Sequence, residues 1–461
     1  MIEPISPQPA ISFDECLRIL WDRGHELHGR KFDLDAIRAI LAALGHPERR
    51  YPTAIVAGTN GKGSTCAMLA SILESAGYRT GLYSSPHLIR VNERIRVGGH
   101  DISDADFAAA FTDVHHAVET LIGSAALPHR PSFFEYLTAV AFLHFARASV
   151  DFAVLEVGMG GRLDATNVTD ASVAVITNVD LDHQEFLGNT LTAIASEKAG
   201  VIKPGRPVVS GCERPEASEV VRQRCRDMRV ELIEIAGLQS AANFFHRDGC
   251  YGFDLLMDGL DLPGISLQMA GTFQVKNAIT AASAAWQLAR AGFRITPEAI
   301  RNGLQTAVWP GRLEVVQRRP LILLDGAHNP AAARELAEFV RKHFKGRTLR
   351  LVYASMRDKA IGEISGILFP LAQAVYLTRP GVERAATPEA ILDETVVVPP
   401  QVFAEPDPVR ALEQAASASL PEDVVLVAGS LFLVGAVKKA VLEGRLAPDA
   451  LAAPEVFSEL S

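Results

Sequence analysis

The sequence predicts an α/β protein of two units: an N-terminal unit of P-loop type with a mostly parallel sheet, and a smaller, Rossmann-like C-terminal α/β unit. Three observations point there. Short apolar runs alternate with helical patterns along almost the whole chain, the rhythm of a parallel sheet covered by helices. One strand-to-helix junction carries a glycine-rich turn with a lysine. The rhythm then breaks near Val308–Arg312, at Trp-Pro-Gly-Arg, before a second strand–helix series begins.

Thr53–Ala57 reads as a buried strand. From Lys62 the period becomes helical, with Cys66, Leu69, Ile72, Leu73 and Ala76 on one face and Gly77 as the stop. Apolar runs follow at Gly81–Tyr83, Phe152–Val157, Val173–Thr177 and Pro207–Val209, each leading into a helix or a loop rich in Gly, Asp and Asn. Phe245–Met269 alternates apolar residues with Gly and Asp, as in a small antiparallel patch, and a helical run covers Ala278–Ala291. The second series has strands at Leu321–Leu324, Leu349–Tyr353, Ala374–Leu377 and Val424–Val427. The expected units are residues 1–308 and 313–461, joined by a linker at 309–312. Ala447–Ser461, with two prolines and many alanines, is expected to fray.

Composition narrows the function classes. With 461 residues, 48% hydrophobic and 21% charged, the chain can bury a core, which excludes disorder and fibrous architectures. A net charge of −9 argues against a nucleic-acid protein that relies on a globally basic surface. The five cysteines are an odd count without CxxC spacing, so neither a disulfide framework nor a zinc ribbon follows, and a reducing compartment fits. The N-terminus lacks the basic region of a signal peptide. The longest apolar stretch, Val424–Val437, is interrupted by Gly429 and Ser430 and falls short of the ~20 residues of a membrane span. The expectation is a soluble, cytoplasmic monomer without nucleic-acid or membrane partners.

The strongest chemical signal is Gly58-Thr59-Asn60-Gly61-Lys62-Gly63-Ser64-Thr65, between a strand and a helix. Phosphate binding needs these parts: N–H groups freed by glycines, a helix N-terminus and a lysine point charge, with Ser64 or Thr65 able to face a magnesium ion. The spacing departs from the ordinary P-loop, with Val56 in place of the first glycine and Gly63 inserted after the lysine. Glu156 ends an apolar strand, where an ionised carboxylate needs a partner or a metal. The glycine-rich Gly158–Asn167 segment should then lie at the ligand side of the sheet. His183 falls at the carboxyl end of the next strand. A lone histidine is more often a structural hydrogen-bonder, but its place on the same rim favours a metal, and oxygen-rich ligation with one imidazole suits Mg²⁺ or Mn²⁺. By pattern alone, Lys198 reads as a surface helix lysine.

Gly58–Ser64, Tyr83-Ser84-Ser85-Pro86-His87-Leu88, Glu156–Asn167, Leu181-Asp182-His183, Glu197-Lys198-Ala199-Gly200, Pro310-Gly311-Arg312 and Asp325-Gly326-Ala327-His328-Asn329-Pro330 occur in this order. Together they resemble the folylpolyglutamate synthase/dihydrofolate synthase family, within the Mur ligase group, from Leu27 to Val437. The resemblance implies an ATP-binding N-terminal unit and a C-terminal glutamate-ligase unit. The implied reaction is ATP-driven amide ligation of L-glutamate to dihydropteroate or a reduced folate through an acyl phosphate. Such chemistry brings two anions together and so calls for cations.

Residue by residue, the resemblance gives Thr59, Asn60, Gly61, Lys62, Gly63 and Ser64 to the ATP phosphates. Asn277, Arg312 and Asp325 become nucleotide contacts across the cleft, with His328 beside them. Ser85, Glu156 and His183 become metal ligands. Lys198 becomes a carbamylated lysine that acts with Lys62 and His183 in catalysis, which reverses the surface reading. Leu163, Asp164 and Ala165 become the pterin segment, with Phe134 and, more weakly matched, His28 in the same pocket. The implied cofactors are ATP, Mg²⁺ as one or two ions, and K⁺. A bifunctional enzyme is expected. The alternatives are a folylpolyglutamate synthase alone, another Mur-type amino-acid ligase, or a nucleotide-dependent switch that hydrolyses ATP without ligation. A cell-wall Mur ligase would need its own N-terminal UDP-binding domain, for which the short stretch before the phosphate loop leaves no room.

Overall fold

The computed structural model describes residues 10–22, 33–127, 130–235, 240–247, 250–257 and 259–445. His28 and the 447–461 segment lie outside the described residues.

The N-terminal unit is built on eight strands: β1 (Thr53–Ala57), β2 (Thr80–Tyr83), β3 (Ile95–Val97), β4 (His100–Asp101), β5 (Phe152–Glu156), β6 (Val173–Ile176), β7 (Val208–Ser210) and β8 (Leu232–Glu234). They lie in the order β4-β3-β2-β5-β1-β6-β7-β8. Every neighbouring pair from β2 to β8 is parallel, and β3 and β4 add an antiparallel ribbon at one edge. The central strands are buried at every residue, as in a sheet covered on both faces, and this is why their sequences do not alternate. The strand order turns at β1, with β5 and β2 to one side and β6, β7 and β8 to the other. The loops leaving β5, β1 and β6 therefore open onto one crevice, the usual ligand position of such sheets.

The helix Lys62–Ser75 was expected to bury one face. It is instead buried on nearly every side, between the sheet and the helices Thr272–Arg290 and Pro297–Thr306. Its Gly, Ser, Cys and Ala residues let these neighbours approach closely. Gly303 lies directly on the backbone of Ile72, so a Cβ there would collide with main chain that cannot move aside. Gly303→Ala is therefore expected to cost about 1–3 kcal/mol of stability. An unchanged urea-unfolding midpoint would show that the helices have room to separate.

A three-stranded antiparallel sheet follows, β9 (Ala241–Arg247), β10 (Cys250–Met257) and β11 (Leu260–Leu267), in the order β11-β10-β9. Phe253, Leu255, Ile265 and Leu267 carry it into the core around the helix Thr272–Arg290. That helix begins at Thr272 rather than Ala278, because its first turn is mixed in polarity and does not stand out in the apolar pattern.

The second unit has a six-stranded sheet: β12 (Glu314–Arg318), β13 (Leu321–Leu324), β14 (Leu349–Tyr353), β15 (Ala374–Leu377), β16 (Gln401–Ala404) and β17 (Val424–Ala428), in the order β12-β13-β17-β14-β15-β16. All pairs are parallel except β12 with β13. The four strands expected from the sequence are β13, β14, β15 and β17. The edge strand β12 is partly buried and mixes polar with apolar residues, and β16 is short and mostly exposed, which is why the pattern hides them. Val424–Val437 divides into β17 and the start of the helix Leu431–Leu442, which Ser430 caps. Among the described residues, no helix is long and apolar enough to cross a membrane. Cys16, Cys66, Cys212 and Cys225 are buried free thiols.

Candidate active site between the two sheets

The carboxyl ends of both parallel sheets line one cavity of about 500 Å³. On the first unit's side, the loop after β1 is shaped by the segment after β6. The Thr59 and Asn60 N–H groups donate to the backbone and side-chain oxygens of Asn178, at 3.0 and 2.9 Å. The Thr177 hydroxyl donates to the Asn60 carbonyl at 2.6 Å, and the Thr59 hydroxyl to the Asp180 carbonyl at 3.1 Å. Gly58 (φ +152°) and Gly61 (φ +79°) adopt backbone that a side chain disfavours. Gly61 lies against the Asn277 amide and Gly63 against the Trp309 indole nitrogen, so neither position has space for a Cβ. The helix Lys62–Ser75 has no side-chain cap, and its first N–H groups remain for an anion. Lys62 Nζ folds back on the Gly58 and Thr59 carbonyls, each at 3.1 Å. Ser64 lines the cavity, whereas Thr65 is buried and its hydroxyl has no partner among the described residues.

Glu156 ends β5 with 4% of its surface exposed, and its Oε2 accepts from the Ser85 N–H at 3.0 Å. Burial raises its carboxyl above the usual range, against the pull of Lys62. His183 occupies a left-handed backbone position (φ +51°) at the foot of a short helix. Burial, then the Lys359 charge, lowers its imidazole to about 3, so it is neutral and fit to ligate near pH 7. Among the described residues, no three Asp, Glu, His or Cys side chains gather as a metal site. A hydroxyl, a carboxylate and a neutral imidazole lining one cavity nevertheless fit the chemistry of an oxygen-preferring divalent ion. They leave positions for water and phosphate oxygens.

Lys198 is not a surface lysine: 4% of its surface is exposed, and its Nζ donates to the Gly58 carbonyl at 2.8 Å, beneath the phosphate loop. Burial, then the nearby Lys62 charge, pulls its amine down to about 7. The neighbouring residues explain its position. The Glu197 carbonyl accepts from the Arg162 N–H at 2.8 Å, and its carboxylate accepts from the Arg162 guanidinium. Gly200 packs directly on Arg162, leaving no room for a Cβ. The loop after β5 and the Lys198 turn are thus pinned to each other. Unlike the other described site residues, Lys198 does not line the open cavity.

Phe134 sits in the first turn of the helix Phe133–Arg147, which a Ser132–Glu135 capping box fixes. Its ring closes on Gly158, whose missing side chain makes the space. Leu163, Asp164 and Ala165 line the cavity beside it. Both Asp164 oxygens are occupied within the protein: one accepts from the Gly158 and Met159 N–H groups, the other from Thr166. The carboxylate therefore shapes the loop.

On the second unit's side, Asp325 likewise holds backbone, accepting from the Leu313 and Ala327 N–H groups at 3.0 and 2.9 Å. Burial raises its carboxyl and Arg312 opposes this. His328 Nδ1 lies 2.8 Å from the Gly326 carbonyl. Sequence reasoning missed a cross-cleft cluster. Asp182 accepts from Lys359 Nζ at 2.6 Å and from Asn329 at 3.1 Å, and the Asn60 and Asn329 amides exchange two hydrogen bonds. The Asp182 and Lys359 side chains are 10% and 9% exposed. Asp182, His183 and Asn329 stood inside the quoted motifs, but nothing in Arg357-Asp358-Lys359 marked the lysine.

Residues 56–285 match the Mur ligase middle domain, and residues 311–431 match the Mur ligase glutamate ligase domain. The dihydrofolate synthase/folylpolyglutamate synthase of Bacillus subtilis is 35% identical over 91% of this chain and 97% of its own length. The chain belongs to the folylpolyglutamate synthase/dihydrofolate synthase family of Mur ligases. Solved structures agree. The Mycobacterium tuberculosis folylpolyglutamate synthase complexed with ADP superposes with a TM-score of 0.86, at 31% identity over 95% of this chain and 99% of the other. The bifunctional Yersinia pestis enzyme complexed with AMPPNP and a Mn ion gives 0.81, at 31% identity over 95% and 100%.

In this Mur-type chain, the residues expected at the phosphates, metal, nucleotide and pterin sites all line the one cavity, apart from Lys198 just beneath it and His28 outside the described residues. Thr177, Asn178, Asp182, Lys359 and Arg384 join them without having been expected.

Proposed function

We propose that the chain is a bifunctional dihydrofolate synthase/folylpolyglutamate synthase, joining L-glutamate to dihydropteroate and to reduced folates at the expense of ATP. The observation that carries this reading is the single cavity that joins a phosphate loop, a hydroxyl–carboxylate–imidazole set and an aromatic-lined pocket around Phe134 and Leu163. Residues 1–308 would bind ATP and the acceptor, 309–312 would link the units, and 313–461 would carry the glutamate side. The relatives' nucleotide and Mn complexes support ATP and a divalent ion here.

In this reading the acceptor carboxylate takes the γ-phosphoryl group, the glutamate amine attacks the acyl phosphate, and phosphate leaves. Lys62 releases its loop carbonyls to pair with phosphate oxygens. Ser85, Glu156 and His183 would hold Mg²⁺, which screens charge between nucleotide and acceptor when bound. Lys198, as a carbamate, would supply a further carboxylate beneath the loop.

ADP release with Mg-ATP and L-glutamate tests the assignment, with dihydropteroate and tetrahydrofolate compared as acceptors and each product checked by mass. Release with both is expected. Release with the folate alone would reduce the enzyme to chain extension, and ATP turnover without any acceptor would overturn the ligase. Glu156→Gln and His183→Ala are each expected to raise the Mg²⁺ concentration needed for half-maximal rate by about 10–100-fold, with little change in melting temperature. An unchanged Mg²⁺ requirement in either would remove that residue from the metal set.

A further inference from the structure

The linker and the second unit bring three cationic side chains to the cavity, and two are already engaged. Lys359 is bound to Asp182, and Arg312 donates to the Gly311 carbonyl at 3.0 Å. The third, Arg384, has no hydrogen bond or ion pair through its guanidinium among the described residues. Its Cζ lies 5.3 Å from the centre of the Phe432 ring, which also lines the cavity. A guanidinium held over an aromatic face keeps its in-plane N–H donors for another partner. The backbone around it is fixed. The Arg384 carbonyl accepts from the Arg357 N–H at 3.0 Å, and Ala385 bridges to Met356.

A fixed, half-buried fork of N–H donors without an acceptor is suited to a carboxylate. We propose that Arg384 binds a carboxylate of the incoming L-glutamate and so positions its amine, an inference that rests on the ligase reading above. Lys62 and the helix start at the phosphate loop face the phosphates from the other unit. Arg384 reaches the same cavity from the second unit. The other source of the same chemistry is the glutamate tail of a folate acceptor. Dihydropteroate has no such tail and separates the two.

The test is steady-state kinetics of Arg384→Met and Arg384→Lys with each acceptor. Arg384→Met is expected to raise the KM for L-glutamate by about 10–100-fold with both acceptors, while the KM values for ATP and acceptor stay within about twofold. Arg384→Lys should fall between, since it keeps the charge but loses the fork. Glutamate analogues with either carboxylate replaced by an amide give a readout that misfolding would not produce. Arg384→Met should lose the wild-type discrimination against one of the two amides and keep the other. A glutamate KM unchanged in both variants, or a rise confined to the folate KM, would overturn the inference. Wild-type protein that releases ADP with neither acceptor would instead overturn the ligase reading, and this inference with it.

Discussion

Lys198→Ala is expected to lower kcat by about 10²–10³-fold, with partial recovery when formate or acetate is added. The expectation follows from the environment of Nζ. A carbamate forms when a neutral amine attacks CO2: the nitrogen lone pair makes the N–C bond and a proton leaves to solvent. An ordinary lysine, with its amine near 10.5, is almost wholly protonated at pH 8. With the amine pulled down to about 7, roughly nine-tenths of it is neutral at that pH. The sign therefore predicts more than the mutant. Enzyme stripped of CO2 should lose activity and regain it when CO2 is supplied, at a rate that, at a fixed concentration of dissolved CO2, rises with pH through 7 and levels off above it. The carbamate would also remove the cost of holding a cation beside Lys62, by exchanging like charges for opposite ones. Wild-type activity in Lys198→Ala, or full activity in CO2-free buffer, would remove the carbamate. Failure of short carboxylates alone would show that the amine's own bond to the Gly58 carbonyl is what matters.

Lys198 also marks where the sequence stops being legible. The strands around it were readable because β1, β5 and β6 are buried on both faces and show as unbroken apolar runs. The ligand rim was readable because glycine-rich loops must follow such strands in a parallel sheet. Burial of one lysine on a short helix leaves no such trace. It depends on the loop after β5 docking through Arg162 onto Glu197 and Gly200, a tertiary contact between distant segments. Only the ordered set of motifs pointed to it. The edge strands β3, β4, β12 and β16 were hidden for a different reason, since partly or mostly exposed strands carry polar residues that read as loop. Asp164 and Asp325 were legible as site residues, but the reason for a carboxylate was not: each holds backbone N–H groups that form the cavity wall. Arg384 and Lys359 lie in turns after strands of the second unit, where no periodicity or spacing distinguishes a charge that faces a cleft from one that faces solvent.

Lys359→Met is expected to destabilise the closed arrangement of the two units by about 3–5 kcal/mol, because it leaves the Asp182 carboxylate buried without its counter-charge. Burial alone would raise the Asp182 carboxyl, but Lys359, with His183 and His328 nearby, holds it well below the usual range. The folded value is the depressed one, so the pair's contribution is fully present above the ordinary value of 3.8 and is lost only as pH falls through the lower folded value. At pH 7 the ionised pair is therefore intact, and removing one partner costs more than removing both. The double variant Asp182→Asn with Lys359→Met should be less destabilised than Lys359→Met alone, and a double-mutant cycle should give a clear coupling energy. The units also meet away from this pair, at Tyr251 with His343 and at Leu88 with Gly435, so loss of the pair is expected to loosen the cleft rather than unfold the chain. The Lys359→Met profile in small-angle scattering should accordingly be broader than that of the wild type, and kcat should fall because the cavity linings supplied by the two units separate. Additive single and double variants would mean that the 2.6 Å pair does not couple the two units. An unchanged scattering profile would place the cohesion of the cleft in the Asn60–Asn329 amide pair and the Trp309 contact with Gly63 instead.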